Sequence, residues 1–184
     1  MSKQLYITKL TGPLFQGQYH PYCSINWGNE LSEQQCWMGD DKVALMDVNT
    51  ENDSVAKSYY DWIGPFVKEY GIDGLRIDAA RHIREDFWQP FVQAAGVFCI
   101  GEVFEYNPVT AARWQGPLDS ILNFPLRQGI LDAFSIPGPQ NISALATAMQ
   151  ANWDSFSDVG LLGNFLENQD VPRWANLSVD PQSL

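Results

Sequence analysis

Apolar residues fall into short runs that alternate with longer amphipathic stretches along this chain of 184 residues. The run Ile72–Asp78 ends in a carboxyl group, and the run Val97–Val103 carries Glu102 near its end. Both have the length of a buried β-strand, and a helical stretch lies between them. This order of strand, helix and strand predicts parallel pairing, which brings Asp78 and Glu102 to the same edge of a sheet.

The longest amphipathic stretch predicts a helix from about Asp53 to Tyr70, because its apolar positions share one face. Pro65 lies inside it and is expected to kink or interrupt the helix. Similar patterns elsewhere predict a strand over Val43–Val48, a helix over Ile83–Ala95, an extended segment over Leu118–Phe124, a helix over Leu126–Phe134, a helix capped by Asn141 and a last strand over Leu161–Leu166.

Strands that alternate with helices over most of the length indicate an α/β fold with a parallel sheet. Residues 1–41 differ, because they are rich in Gly, Pro, Asn and aromatic residues and show no sustained period. No apolar stretch is long enough to span a bilayer. The N-terminal segment Met1–Ile7 lacks the apolar core of a signal peptide.

The charge of the chain argues against two classes of partner. The formal net charge is −11 and the isoelectric point is about 4.4. Nucleic acids and anionic membranes both repel an acidic surface, so neither is expected as a partner.

The three cysteines leave two interpretations open. Cys23 and Cys36 bracket a polar loop and could close it as a disulfide, while Cys99 lies in an apolar strand as a buried thiol. Three reduced thiols in a cytosolic protein agree with the count equally well.

Three motifs in order resemble the α-amylase family of glycoside hydrolases. Gly74–His82 resembles the strand of the nucleophile, Gly101–Phe104 the strand of the general acid, and Phe165–Asp170 the third catalytic strand, whose family pattern is F-x-x-N-H-D. Loop segments agree with the secreted fungal branch, especially Ala94–Val103. The resemblance covers nearly the whole chain.

The resemblance implies a role for each acid in these three motifs. Asp78 would be the nucleophile and Glu102 the general acid and base of a retaining mechanism, with their carboxyl groups about 5–5.5 Å apart. Asp170 would bind sugar hydroxyls. Arg76, two residues before Asp78 and therefore on the same face, would hold Asp78 ionised and oriented.

The resemblance also implies substrate contacts from Arg81, His82 and Gln169. Arg81 replaces the usual Lys of the family, which keeps the charge and changes the shape. Gln169 replaces a His that contacts the sugar at the cleavage subsite, and Gln cannot be cationic.

Calcium is the cofactor that the resemblance implies. Asp47 matches a carboxylate ligand, and His82 would contribute its backbone carbonyl, since oxygen ligands suit this cation. Another acid of the family site is replaced by Gln34-Gln35, with Glu33 one step away, so the site is incomplete. The resemblance favours the disulfide interpretation for Cys23 and Cys36.

The extent of the chain matters, because a complete barrel needs roughly 250 residues. We therefore expect a partial (β/α)8 TIM barrel, about strands 3–7, over residues 42–184, and part of an inserted loop-rich domain over residues 1–41. The resemblance implies an endo-acting α-1,4-glucan hydrolase acting on starch or glycogen, secreted and monomeric as the parent enzyme, in a truncated or weakened form. The alternatives are a non-catalytic relative that binds glucan or protein, and an α-glucosidase or glucanotransferase.

Overall fold

The computed structural model describes residues 17–39 and 42–178. They divide into two compact units, one formed by the chain up to Asp73 together with Ala80–Val97, the other by Gly74–Ala79 together with the chain from Phe98 onwards. None of the helices in the described ranges has the length and apolarity needed to cross a membrane.

The regular elements are short apart from four helices. The helices are α1 (Glu30–Gln35), α2 (Asp53–Tyr70), α3 (Glu85–Ala95), α4 (Pro108–Ala112), α5 (Phe124–Phe134), α6 (Ile142–Ser155) and α7 (Trp174–Leu177). The strands are β1 (Met38–Gly39), β2 (Ala44–Leu45), β3 (Gly74–Ile77), β4 (Phe98–Gly101) and β5 (Ser120–Ile121). Three 3₁₀ turns cover Ala80–His82, Arg113–Gln115 and Val159–Leu161.

Helix α2 of the first unit confirms the predicted helix and begins and ends at recognisable caps. The side chain of Asn52 accepts from the amide of Ser54, and Gly71 ends the helix in the left-handed conformation with a φ of 59°. The helix continues through Pro65, which therefore does not interrupt it, while the alternative of a kink stays a prediction. Pro65 has no backbone N–H to donate within the helix. Burial of Ile63 and Val67, which lie on the same face on either side of Pro65, stabilises the helix at this point.

Packing of α2 against α3 forms the core of the first unit. Phe87, Trp88 and Phe91 are buried, and the hydroxyl of Tyr60 donates to the carbonyl of Phe87. A Cβ atom on Gly64 would lie 2.7 Å from the carbonyl oxygen of Ala94. Helix α2 therefore approaches α3 closely at this glycine.

A disulfide joins Cys23 to Cys36, with their Cα atoms 4.8 Å apart, as the sequence interpretation predicted. We call residues Cys23–Cys36 the disulfide loop; α1 lies within it. Strands β1 and β2 follow as an antiparallel pair.

The predicted strand Val43–Val48 is mostly wrong. Only Ala44 and Leu45 are in a strand, and it pairs locally with β1 outside the parallel sheet. Val43 and Leu45 are exposed, so this apolar run does not occupy the buried position that its composition suggested.

The second unit contains the parallel sheet, in the order β3-β4-β5. Gly74 pairs with Phe98 and Ile77 with Gly101, and Gly101 in turn pairs with Ile121. Within the described residues this sheet has three strands and does not close into a barrel. The predicted α/β parallel arrangement is confirmed at this coarser level.

The predicted strand Leu161–Leu166 is reduced to one parallel bridge between Leu122 and Gly163. Gly163 donates to the carbonyl of Ile121 and accepts from the amide of Asn123, which aligns this segment beside β5. A Cβ atom on Gly163 would lie 2.5 Å from Ile100 Cδ1, so a larger residue here would require the Ile100 side chain to move. Leu161, the first residue of the predicted strand, instead belongs to the 3₁₀ turn Val159–Leu161.

Candidate active site

The register of β3 and β4 places two acids side by side. Ile77 and Gly101 are partners in the parallel ladder, and Asp78 and Glu102 are the next residue on each strand. The amide of Glu102 donates to the carbonyl of Ile77 over 2.8 Å, which extends the ladder by one step. The two carboxyl groups therefore leave the same edge of the sheet, as the sequence predicted.

Arg76 contacts both acids. Its Nη1 donates to Oδ1 of Asp78, and its Nη2 lies 3.1 Å from Oε2 of Glu102. One guanidinium with a hydrogen bond on each side keeps the two contacting oxygens within roughly 8 Å of each other. A positive charge shared in this way offsets the repulsion between two neighbouring carboxylates.

The two acids differ in their access to solvent. The side chain of Asp78 is 75% exposed, whereas that of Glu102 is 10% exposed. An incoming molecule can therefore reach Asp78 directly, while Glu102 is fixed in a buried position. Two carboxyl groups in different environments are suited to two different roles.

Ala79 adds a second contact to Glu102. Its amide donates to Oε2 of Glu102 over 3.2 Å. Ala79 has a φ of 49°, a left-handed conformation that is unusual for a residue other than glycine. Such strain is found preferentially at functional sites, where the surrounding structure holds the backbone in place.

Gln169 and Asp170 lie in the segment after Gly163, and both are exposed. Among the described residues, the carboxyl group of Asp170 makes no hydrogen bond or ion pair. The contacts of Arg76 thus bring Asp78 and Glu102 together, but they do not include Asp170. The catalytic assignment of Asp170 and the sugar contact of Gln169 stay predictions.

One side chain within this segment and one outside it fix its backbone. The side-chain oxygen of Asn168 accepts from the amides of Asp170 and Val171, which forms a tight turn. Buried Arg127 donates from Nε to the carbonyl of Leu166 over 2.9 Å. Sequence reasoning missed Arg127, because an arginine in an amphipathic helix normally lies on the solvated face.

Arg81 and His82 belong to the first unit and have a common partner there. Nη2 of Arg81 lies 2.6 Å from Oε2 of Glu33, and Nδ1 of His82 lies 2.9 Å from the carbonyl oxygen of Glu33. Trp27 meets the His82 ring edge to face at 5.9 Å. From the sequence, Glu33 was recognisable only as a neighbour of the implied calcium position. Its contacts with Arg81 and His82 could not be predicted, because these residues lie 48 and 49 positions away in the chain.

Asp47 also belongs to the first unit, and His20 engages its carboxyl group. Nδ1 of His20 lies 2.5 Å from Oδ2 of Asp47, and Nε2 lies 2.9 Å from Oε2 of Glu51. Burial raises the pKa of Asp47 from 3.8 to about 6 against the opposing effect of His20. No group of three or more His, Cys, Asp or Glu residues in the described ranges is arranged to hold a metal ion. Calcium binding by Asp47 and His82 stays a prediction.

Comparison with known families gives a match over most of the chain. The family model described as "Alpha amylase, catalytic domain" matches residues 14–182. α-Amylase 1 of Lipomyces kononenkoae is 40% identical over 166 residues, which cover 90% of this chain and 26% of that protein. The α-amylase of Saccharomycopsis fibuligera is 39% identical over 170 residues, which cover 92% of this chain and 34% of that protein.

Solved structures agree with the sequence relatives. An α-amylase from Malbranchea cinnamomea superposes with a TM-score of 0.85 at 38% identity, covering 89% of this chain and 35% of that one. An α-amylase from Geobacillus thermoleovorans, complexed with acarbose, superposes with a TM-score of 0.82 at 26% identity, covering 94% and 39%. The chain thus spans between about a quarter and two fifths of the length of these relatives.

Proposed function

Because the chain belongs to the α-amylase family of glycoside hydrolases, we propose that it carries the catalytic acids of a retaining, endo-acting α-1,4-glucan hydrolase. Starch or glycogen is the proposed substrate. The observation that carries the proposal is the contact of Arg76 with both Asp78 and Glu102 at neighbouring strand ends. A non-catalytic relative would have no need for this arrangement, so that alternative is not favoured.

In the first step, a carboxylate oxygen of Asp78 attacks the anomeric carbon of the glucosyl unit. The bond from this carbon to the glycosidic oxygen breaks, and its electron pair stays on that oxygen, which takes a proton from Glu102. The products are a glycosyl ester on Asp78 and a shortened glucan. The exposure of Asp78 supports its role as the nucleophile.

In the second step, water attacks the same carbon from the side that the leaving glucan vacated. Glu102 accepts a proton from this water, the ester bond breaks, and its electron pair returns to Asp78. Two inversions give net retention. The amide of Ala79 and the guanidinium of Arg76 both contact Oε2 of Glu102, which holds this carboxyl group in one orientation through both steps.

The remaining residues serve substrate binding in this proposal. Asp170 and Gln169 would hydrogen-bond hydroxyls of the sugar at the cleavage position, and their exposure leaves them open to it. Arg81 and His82 are also proposed to contact the substrate. We also propose an extracellular location, because the resemblance is to secreted enzymes and because the disulfide persists in oxidising compartments. Calcium at Asp47 and His82 would be structural and takes part in no step.

A chimera tests the catalytic assignment. Residues 14–182 replace the matching segment of the Saccharomycopsis fibuligera α-amylase, and starch hydrolysis is compared with the Asp78→Asn and Glu102→Gln variants. Each should lose about a thousandfold or more in kcat, the effect of removing a nucleophile or a general acid. Asp61→Asn is the matched control and should leave kcat unchanged, because Asp61 is an exposed carboxylate that, within the described part of the chain, pairs only with Lys57.

The anomer released by the chimera tests the stereochemistry. Nuclear magnetic resonance of the first products should show the α-anomer, as retention requires. An active chimera in which Asp78→Asn retains full turnover would refute the assignment of the nucleophile. First release of the β-anomer would refute the retaining mechanism.

A further inference from the structure

We propose that Glu33 is a positioning residue that fixes the orientation of both Arg81 and His82 for glucan binding. This inference rests on the proposed function for the identity of the ligand. The contacts from which it is argued lie within the first unit, because Glu33, Arg81 and His82 all belong to that unit. Neither the motifs nor the family match assigns a role to Glu33.

Glu33 makes three contacts, two through its carboxyl group and one through its backbone carbonyl. Oε2 lies 2.6 Å from Nη2 of Arg81, and Oε1 accepts from the amide of Gly28 over 2.8 Å. The backbone carbonyl is 2.9 Å from Nδ1 of His82. One residue in the disulfide loop thus holds two consecutive side chains of a distant segment.

Burial makes the pairing with Arg81 obligatory. The side chain of Glu33 is only 4% exposed, and a buried carboxylate is costly unless it is paired and hydrogen-bonded. The side chain of Arg81 is 28% exposed, so part of it reaches solvent. The ion pair with Glu33 therefore fixes the position of a guanidinium group whose side chain is only partly buried.

The contact with His82 fixes its ring as well as its position. A carbonyl oxygen can only accept, so Nδ1 of His82 must carry the proton. In the neutral ring, Nε2 is then an acceptor, which suits the hydroxyl of a sugar. The side chain of Glu33 acts here indirectly, because its bonds to Arg81 and Gly28 hold the backbone carbonyl in place.

The contacts of Glu33 matter because Arg81 and His82 lie close to Asp78 in the sequence. Arg81 and His82 follow Asp78 by three and four residues, and Ala80–His82 is a single 3₁₀ turn. Glu33 lies in α1, inside the loop that the disulfide between Cys23 and Cys36 closes. Trp88 holds the backbone of this turn at the carbonyl of Ala80, and Glu33 in the constrained loop holds the side chains of Arg81 and His82.

The test uses the 184-residue chain and Glu33→Gln, which keeps the shape and removes the charge. Nuclear magnetic resonance follows the ring signals of His82 and the indole signal of Trp27 during titration with maltoheptaose. The chain has two histidines, so the His82 signals are assigned by comparison with a His82→Gln variant. Glu30→Gln, at an exposed position of the same helix, is the matched control.

We expect Glu33→Gln to move the His82 ring signals and to weaken maltoheptaose binding by about tenfold, while Glu30→Gln stays within about twofold of the wild type. In an Arg81→Gln background, Glu33→Gln should add less than about twofold, since a residue that acts through Arg81 has no effect once Arg81 is lost. If Glu33→Gln does not fold, Arg81→Lys replaces it, because lysine keeps the charge and loses the planar contact.

Unchanged His82 signals together with wild-type affinity in a folded Glu33→Gln variant would overturn the inference. A full effect of Glu33→Gln in the Arg81→Gln background would overturn it too, by showing that Glu33 does not act through Arg81. A wild-type chain that fails to bind maltoheptaose would remove the proposed ligand and with it the glucan-binding role. The His82 signals would then still decide whether Glu33 orients the ring.

Discussion

Arg76 gives the two acids of the site a common partner, which explains why they can lie side by side at the ends of β3 and β4. Removing this guanidinium would leave two facing carboxyl groups without a compensating charge. Asp78 and Glu102 could be predicted from the sequence because each follows an apolar run directly. Glu33 could not, because its partners lie 48 and 49 residues away in the chain.

Gln169 is the residue at which the third motif departs from its family pattern. In the chimera described above, Gln169→His should raise starch turnover by tens to hundreds of fold, because one contact to the transition state contributes about 2–4 kcal/mol. The kcat values of the two chimeras measure this change. Gln128→His, at an exposed position of α5, is the control for a histidine added elsewhere. Unchanged turnover would show that the site has adapted to Gln169.

The cysteines make a prediction that depends on pH. Burial, and then the nearby charge of Asp119, raise the pKa of Cys99 from 9.0 to about 11. At pH 9 the thiol is therefore neutral in the folded chain and half ionised in the unfolded chain. The contribution of Cys99 to stability is present below pH 9 and is lost as the pH rises towards 11.

Alkylation with iodoacetamide at pH 8.5, followed by mass spectrometry, measures both features. The folded chain should take up no label, the unfolded chain one label at Cys99, and the unfolded and reduced chain three. Three labels without reduction would mean that Cys23 and Cys36 are not bonded. Rapid labelling of Cys99 in the folded chain would contradict its burial.

At the scale of elements, the long helices and the strands β3 and β4 were predictable from the sequence, whereas the bounds and pairing of the shortest strands were not. Helix α2 was predictable because its apolar face, about five turns long, and the residues that cap its two ends all lie within one continuous stretch of sequence. Strands β2 and β5 have two residues each, and their pairing depends on partners that no local pattern encodes. The same reason explains why Leu161–Leu166 suggested a strand and forms only the bridge at Gly163.

The close approach of α2 and α3 predicts a sharp difference between two glycines. Gly64→Ala should lower the free energy of unfolding by about 1–3 kcal/mol, because the new methyl group meets the backbone oxygen of Ala94 and must push the helices apart. Gly116→Ala is the matched control, since its methyl group would lie 3.7 Å from the carbonyl oxygen of Arg113, an ordinary contact distance. Urea unfolding monitored by tryptophan fluorescence compares the two variants. Equal stabilities would show that the contact is not tight.

At the scale of the whole molecule, the two proposed catalytic acids lie on a small parallel sheet. Within the described residues the parallel sheet has three strands, whereas the chain matches relatives about three to four times as long. Positioning of the substrate contributes much of the rate enhancement of an enzyme. Correct placement of Asp78 and Glu102 is therefore not sufficient for turnover.

The 184-residue chain on its own should show no starch hydrolysis above that of its Asp78→Asn variant. The physical reason is that most of the contacts that align a glucan in a complete barrel are absent from a three-stranded sheet. Release of reducing sugar by matched preparations of the two proteins, each checked for a single species by light scattering, provides the measurement. Robust release that disappears with Asp78→Asn would show that this part of the barrel is sufficient.

Because Cys23 and Cys36 form a disulfide, we expect the glucan affinity of purified protein to depend on the compartment in which the chain is made. In the reducing cytosol of an expression host, the loop that carries Glu33 would remain open, and its hold on Arg81 and His82 would weaken. Material exported to an oxidising compartment would instead keep that loop closed. Two batches of identical sequence would then differ in glucan affinity, and the thiol count of each batch would predict which one binds.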